Sequence, residues 1–375
     1  MKIGILKEKE PENRVALMPE TVASMSKLQV EVLVEKDAGA KAFVSDAGYE
    51  EAGAKIATRK EVIKNADMLL FVNPLETAEV NGIAEGKVLV GAMNPYFNKN
   101  LVQSLVKNKL TAFSMELVPR ISRAQSMDIL SSMATIAGYK AVLDAAMNLR
   151  KFFPMFMSAA GTVKPAKVLI LGAGVAGLQA IAIARKLGAV VEVFDVRSAV
   201  KDEVKSLGGK FIEVEGATED KAAGGYAVEQ TEDFKKKQSE LIHEHAIKSD
   251  VVICTAQIPG KQAPVLLRKE TVEQMIPGSV IVDLAASTGG NCELTKNNEV
   301  SIHKQVKIIG NSFYPSEMPY DASSMFGKNI LNFIKLLIGE KGDLNLDFND
   351  EIIKDTCLTH AGEITNTRVK EILNL

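Results

Sequence analysis

Two doubly wound α/β domains, each built on a parallel sheet, are the architecture predicted for this 375-residue chain. Three observations predict it. Residues 167–195 form a complete strand, glycine loop, helix and strand; the first third alternates short apolar runs with helical patterns; and the chain exceeds one typical domain. A composition of 46% hydrophobic and 25% charged residues is ordinary for a protein with substantial cores.

Residues 2–6, 30–35, 68–72, 87–92 and 110–115 read as short buried strands of a parallel α/β domain. A helical stretch over 129–150, interrupted only by Gly138, runs into Phe152-Phe153-Pro154 and bridges the domains. Further strands at 210–214, 250–256, 279–284 and 306–310 continue the second sheet. The amphipathic segment 321–337 lies too far along to extend that sheet and returns the chain to the first domain. The expected division is a discontinuous N-terminal domain, 1–131 and 316–375, and a second domain, 132–315. Both are Rossmann-like, joined by long helices, with a ligand cleft between them.

The most specific signal is Gly172-Ala173-Gly174-Val175-Ala176-Gly177. It follows the apolar run Val168–Leu171 in the G-x-G-x-x-G pattern. The first glycine permits the tight turn, the second lets a pyrophosphate approach the backbone, and the third packs helix on strand. The positive helix end then favours the anion. Asp195 ends the second strand 18 residues after Gly177, where a carboxylate accepts both hydroxyls of an adenosine ribose. It favours NAD over NADP, because a 2′-phosphate would meet like charge. The repulsion is about 4 kcal/mol for unit charges about 4 Å apart at an effective dielectric near 20. Arg197 softens the preference, and a solvated strand-end acid is the plainer reading of Asp195.

Other classes are disfavoured. The net charge of −2 creates no global field for nucleic acid or an anionic membrane, and Lys235–Lys237 reads as a solvated helix face. No apolar run approaches the roughly 18 to 20 residues that span a bilayer, and the N-terminus opens a strand, so a soluble cytosolic chain is expected. Cys254, Cys292 and Cys357 are widely spaced and odd in number, against a disulfide framework. His243 and His245 are two apart, a spacing that does not share a helix face, and no metal site is expected.

Two stretches remain open on the residues alone. The segment 215–230, with Gly224-Gly225-Tyr226-Ala227, exceeds an ordinary connection; it reads either as a lid with an aromatic tip or as a surface insertion. The segment Pro119 to Ser132 offers Arg120 to grip an anion, Gln125 to bridge polar groups and Asp128 to accept from a carboxamide, as a nicotinamide site requires. Equally, Ser122-x-x-Gln125 satisfies a helix capping box with no ligand at all.

The stretch from Lys7 to Pro19, KEKEPENRVALMP, resembles the opening of the alanine dehydrogenase and pyridine nucleotide transhydrogenase superfamily. Arg120 to Ser131, Ala173 to Gly177, Asp195-Val196-Arg197, Gly224 to Ala227 and Ile258-Pro259-Gly260-Lys261 resemble the alpha subunits of proton-translocating, Re/Si-specific NAD(P) transhydrogenases. The likeness covers essentially the whole chain. It implies that the loop bearing Arg120, Ile121, Ser122, Gln125, Ser126, Met127, Asp128 and Ser131 lines the nicotinamide of NAD(H) and reaches toward NADP(H) on a partner subunit. Gly172, Gly174, Val175, Ala176, Gly177, Asp195, Val196, Arg197, Gly225, Gln238 and Gln257 become cofactor contacts, with Tyr226 at the lid tip. The family more usually has Leu where Gln257 stands, which implies a backbone contact there; Gln238 fits a solvated helix face equally well.

The implied reaction is hydride transfer between NAD(H) and NADP(H), coupled to proton passage by partner subunits. Arg120 anchors, Gln125 spans the two cofactors, Asp128 and Ser131 fix the carboxamide and Tyr226 covers the site. Some relatives fuse this unit to membrane helices. Ending at Leu375, this chain is expected to rely on separate membrane-spanning and NADP(H)-binding polypeptides, to sit at the inner (plasma) membrane through them, and to form a homodimer. The rival reading is an alanine dehydrogenase-like enzyme, whose deamination needs acid/base help. Those enzymes carry a Lys after the strand matched by Phe71-Val72-Asn73-Pro74 and a His after that matched by Leu89-Val90-Gly91-Ala92; this chain has neither. A non-catalytic NAD(H)-binding module is a third reading, which explains residues 120–131 less well.

Overall fold

The computed structural model describes residues 1–214, 231–258 and 260–375, which form two compact units, Met1–Met133 with Pro315–Leu375, and Ala134–Tyr314. In the first unit the strands are β1 (Lys2–Ile5), β2 (Glu31–Glu35), β3 (Lys55–Ala57), β4 (Met68–Leu70), β5 (Val88–Gly91) and β6 (Thr111–Ser114). They run parallel in the order β3-β2-β1-β4-β5-β6, so the winding reverses between β1 and β4. Met68, Leu70, Val88, Val90 and Phe113 enter one core layer, and Leu69, Leu89 and Ala112 enter the other. Burial on both faces is why these strands are unbroken apolar runs.

The helix Ile129–Asn148 carries the chain into the second unit. There a hairpin, β7 (Phe156–Ser158) and β8 (Gly161–Val163), forms its own two-stranded sheet. The main sheet comprises β9 (Lys167–Leu171), β10 (Val190–Phe194), β11 (Lys210–Ile212), β12 (Val251–Cys254), β13 (Val280–Asp283), β14 (Glu299–His303) and β15 (Val306–Gly310). Its order is β11-β10-β9-β12-β13-β15-β14, parallel except for the edge strand β14. Val168, Ile170, Val191 and Ile253 pack with Ala141, Val142 and Ala145 of the long helix on one face. Leu169, Leu171, Val252 and Ile281 pack with Ile242 and Ala246 on the other.

The chain then returns to the first unit. The helix Pro319–Ile334 buries Phe326, Ile330, Phe333 and Ile334 in the first core, where Phe333 meets Phe113 edge-on with centroids 5.4 Å apart. Beyond it, β16 (Cys357–His360) adds antiparallel to β6 and β17 (Glu363–Ile364) closes the eight-stranded sheet. Among the described residues no helix is long and apolar enough to cross a membrane. The strands β3, β7, β8, β14, β16 and β17 go beyond those read from the sequence.

Candidate functional site

The glycine loop in the second unit is held in a geometry that side chains would destroy. Gly172 adopts φ +104°, and a Cβ there would lie 2.6 Å from Thr255 Oγ1. That hydroxyl donates to the carbonyls of Gly172 at 3.0 Å and Leu171 at 3.2 Å, tying the turn to the end of β12. A Cβ on Gly177 would fall 2.0 Å from the Gly172 carbonyl oxygen, so the helix Val175–Lys186 packs directly on the turn. At Gly174, by contrast, nothing lies within 4 Å of a Cβ. This residue is the helix N-cap and supplies no side-chain cap, which leaves first-turn N–H groups for an anion. Close packing at two glycines beside open space at the third fits a dinucleotide pyrophosphate. Val175 is exposed and Ala176 half-buried at this helix start.

Asp195 differs from expectation in one respect. Its Oδ2 accepts from the Ala173 N–H and from Arg197 Nη2, both at 2.7 Å. Its Oδ1 accepts from the Arg197 N–H at 2.8 Å and Arg197 Nε at 2.9 Å. Four donors fill the roughly four acceptor positions of a carboxylate. To take ribose hydroxyls Asp195 must release some of the Arg197 bonds, and while they persist the guanidinium offsets the charge that would repel a 2′-phosphate. Val196 is half-buried beside them.

Gln257 is exposed and its Nε2 donates to the Leu284 carbonyl at 3.1 Å, so the side chain links the ends of β12 and β13. Asn291, fully buried, shapes the same edge by accepting from the Ala256 N–H and donating to the Ala256 and Pro264 carbonyls. Gln238 is half-buried in the helix Glu232–Ala246, in line with the buried Phe234 and Ile242, instead of on its solvated face. Gly225 and Tyr226, with all of 215–230, and Pro259 lie outside the described residues.

In the first unit, residues 122–127 form a 3-10 turn, Ser122–Met127, ahead of the long helix. The capping box is not made: the N-cap is Ile121, without a side-chain bond. Three residues per turn eclipse positions i and i+3. Ala124 and Met127 accordingly point into the core with Ile121 packed against it, while Ser122 and Gln125 are exposed. Met127 and Ile121 are thereby core side chains, a correction to their reading as cofactor contacts. Arg120 and Ser126 are exposed. Asp128 interrupts the helical path and caps the next helix, its Oδ1 accepting from the Ser131 N–H at 2.9 Å and its Oδ2 from Ser131 Oγ at 2.6 Å. The pair is first a cap, and about two of the carboxylate's acceptor positions remain for a ligand.

The strand ends of the first sheet carry acids instead of glycines. Glu8, following β1, accepts from the Val72 and Asn73 N–H groups at 2.6 and 3.1 Å. Burial nevertheless pushes its carboxyl up to about 7, against the pull of those bonds and with Glu12 adding to the rise. Glu12 is 4% exposed and pairs with Arg14 through Oε1–Nε at 2.8 Å and Oε2–Nη2 at 2.7 Å. Burial pushes Glu12 upward, but Arg14 and Asn73 outweigh it and hold the carboxyl at about 2. Glu116 accepts from the Met93 and Asn94 N–H groups at the end of β5. Arg14, the one nearby group suited to anchoring a substrate carboxylate, is thus bound to Glu12, and Asn73 Nδ2 donates to Glu12 as well.

Three contributors escaped the sequence reading. Thr255 and Asn291 leave no local signature, being ordinary polar residues after a strand. Gly138 was visible as an interruption, and its role is steric: a Cβ would lie 2.2 Å from the Ala176 carbonyl oxygen, so this glycine lets the long helix approach the start of the glycine-loop helix.

Fold and loop together define a dinucleotide-binding α/β protein. The alanine dehydrogenase/PNT N-terminal domain model matches residues 4–137 and the corresponding C-terminal domain model matches 141–367, and the chain belongs to this family. It is 48% identical over 376 residues, 98% of each chain, to an NAD(P) transhydrogenase subunit alpha chain of Rhodospirillum rubrum. A crystal structure of transhydrogenase from Sinorhizobium meliloti superposes with a TM-score of 0.89 at 42% identity, covering 97% of this chain and 100% of that one. Alanine dehydrogenase of Staphylococcus haemolyticus is more distant, at 30% identity over 100% of this chain and 97% of that one.

Proposed function

We propose that this chain is the NAD(H)-binding subunit of a proton-translocating transhydrogenase, exchanging hydride with NADP(H) held by a partner subunit. The observation that carries the reading is the glycine cradle, closed at Gly172 and Gly177 and open at Gly174, in a chain so similar to transhydrogenase alpha subunits. The helix start at Val175, Ala176 and Gly177 would bind the pyrophosphate, and Asp195, with Val196 and Arg197 beside it, would bind the adenosine ribose. NAD(H), when bound, supplies the hydride chemistry. Direct transfer between two nicotinamides moves no proton to or from a substrate heteroatom, so the chain's task is alignment and exclusion of water. In this reading Arg120 anchors the nicotinamide end, Gln125 bridges toward NADP(H), and Asp128 with Ser131 holds the carboxamide. Partner subunits supply the membrane span and the coupling to proton passage. A second copy of this chain is the proposed homodimer partner, supported by the exposed apolar hairpin with Met155, Phe156 and Met157 and by Phe152 stacked on Phe156 at 5.4 Å.

The internal Glu12–Arg14 pair and the lack of a Lys or His directly after β4 and β5 argue against amino-acid oxidation. The test is single-turnover hydride transfer with the full chain and its NADP(H)-binding subunit, beside equilibrium NADH binding. Gln125→Asn should slow transfer roughly tenfold or more with NADH affinity within about twofold. Alanine oxidation by the isolated chain, or unimpaired transfer by Gln125→Asn, overturns the reading.

A further inference from the structure

Asn329 stands in the buried stripe of the helix Pro319–Ile334, between Phe326 and Phe333, and is 7% exposed. An apolar residue belongs in such a stripe. An amide offers two donor hydrogens and an acceptor oxygen with two lone pairs, and burying it unsatisfied is destabilising. Asn329 nevertheless makes one hydrogen bond, from Nδ2 to the Ser126 carbonyl at 2.8 Å, while its Oδ1 is buried without a partner among the described residues. Asn332, one turn edge further out, donates to the same carbonyl at 3.2 Å.

A second tether grips the same turn on the other side of Gln125. Arg123 forms a two-pronged pair with Asp350, its Nη1 donating to Oδ2 at 2.7 Å, and Asp350 also accepts the Ile352 N–H at 2.8 Å to cap the helix Glu351–Thr356. Gln125 is therefore an exposed residue with its neighbours on both sides fixed. Ala124 and Met127 seat the turn in the core, Arg123 ties it laterally, and the Ser126 carbonyl is held from inside the protein. Core packing alone does not require the amide, since a leucine of similar volume would fill the stripe and leave no orphaned oxygen.

We propose that Asn329 is a positioning residue for hydride transfer, which fixes the direction of Gln125 by holding the Ser126 carbonyl and touches no cofactor itself. The proposal rests on the transhydrogenase reading given above. Removing the donor lets the 122–127 turn rotate about its core anchors, which misaligns Gln125 while leaving the glycine cradle of the other unit untouched.

The test uses the full chain with its NADP(H)-binding subunit and two variants, Asn329→Leu and Asn329→Asp. The first removes the amide and its orphaned oxygen; the second keeps the shape but replaces the donor with an acceptor. Both should lower the single-turnover transfer rate roughly tenfold with the NADH dissociation constant within about twofold, and Asn329→Leu should melt no lower than the parent. A purely structural Asn329 predicts the reverse, namely a melting-temperature change with an unaltered transfer rate, and that result overturns the proposal. If one variant fails to fold, the other decides. Gln125→Asn is measured alongside. Slow transfer in Gln125→Asn with parental rates in both Asn329 variants overturns the positioning role alone, whereas unimpaired transfer in Gln125→Asn removes the transhydrogenase reading and this proposal with it.

Discussion

The two sheets share the order of their six parallel strands and differ in the loop that leaves the first of them. In the second unit β9 ends in Gly172-Ala173-Gly174, the backbone turns at φ +104°, and a helix start lies open. In the first unit β1 runs into Leu6-Lys7-Glu8-Lys9-Glu10, and Glu8, Glu12 and Glu116 crowd the same edge. There the N–H groups of Val72, Asn73, Met93 and Asn94, which could have received a phosphate, are already given to carboxylates. A pyrophosphate would find no donors and like charge. Identical topology therefore carries a nucleotide site in one unit and a self-satisfied acidic edge in the other; the site belongs to the loop chemistry and not to the fold.

The largest effect should come from closing the cradle. Gly177→Ala places a methyl 2.0 Å from a backbone oxygen, so NADH binding should disappear in calorimetry, and the parent should bind one dinucleotide per chain. A stoichiometry of two would break the comparison. The acidic edge should show itself through pH. Glu8 titrates near 7 when folded against 4.5 as its ordinary value, so the native state holds the extra proton between these values. Stability should fall as pH rises from about 4.5 to 7, by up to about 3 kcal/mol, and Glu8→Gln should flatten that slope in urea melts. Glu12, depressed to about 2, acts in the opposite sense, its contribution being lost as pH falls from about 4.5 toward 2.

A smaller effect is expected at Gly138. Its replacement by Ala should destabilise the second unit by about 2 kcal/mol, through overpacking against the Ala176 backbone, and weaken NADH binding several-fold. The smallest concerns selectivity. Arg197→Ala frees Asp195 from its ion pair, so the NADH over NADPH preference should widen about fivefold, roughly 1 kcal/mol, in paired titrations. An unchanged ratio would show that Arg197 does not mask the Asp195 charge.

Whatever rests on short-range pattern was legible in the chain alone. The runs at Val168–Leu171 and Val251–Cys254 are buried on both faces, so their apolar character announces strands without reference to neighbours. Gly172 and Gly177 were legible because only glycine satisfies a positive φ or a 2.0 Å approach to a backbone oxygen. Tertiary structure decided whatever depends on partners distant in the chain. The strand β3 is three residues long and only half-buried, β14 is a polar edge with Val300 and Ile302 exposed, and β16 is held by β6 some 240 residues earlier, so none carries a local signal. The capping box at Ser122 was a sound local expectation that lost to a 3-10 turn, because Ala124 and Met127 gain burial at a spacing of three. The bonds saturating Asp195 reach back to Ala173, and the hold on Ser126 comes from Asn329, two hundred residues on. A hydrogen bond is specified by where two groups meet in space, and only the folded chain brings these together.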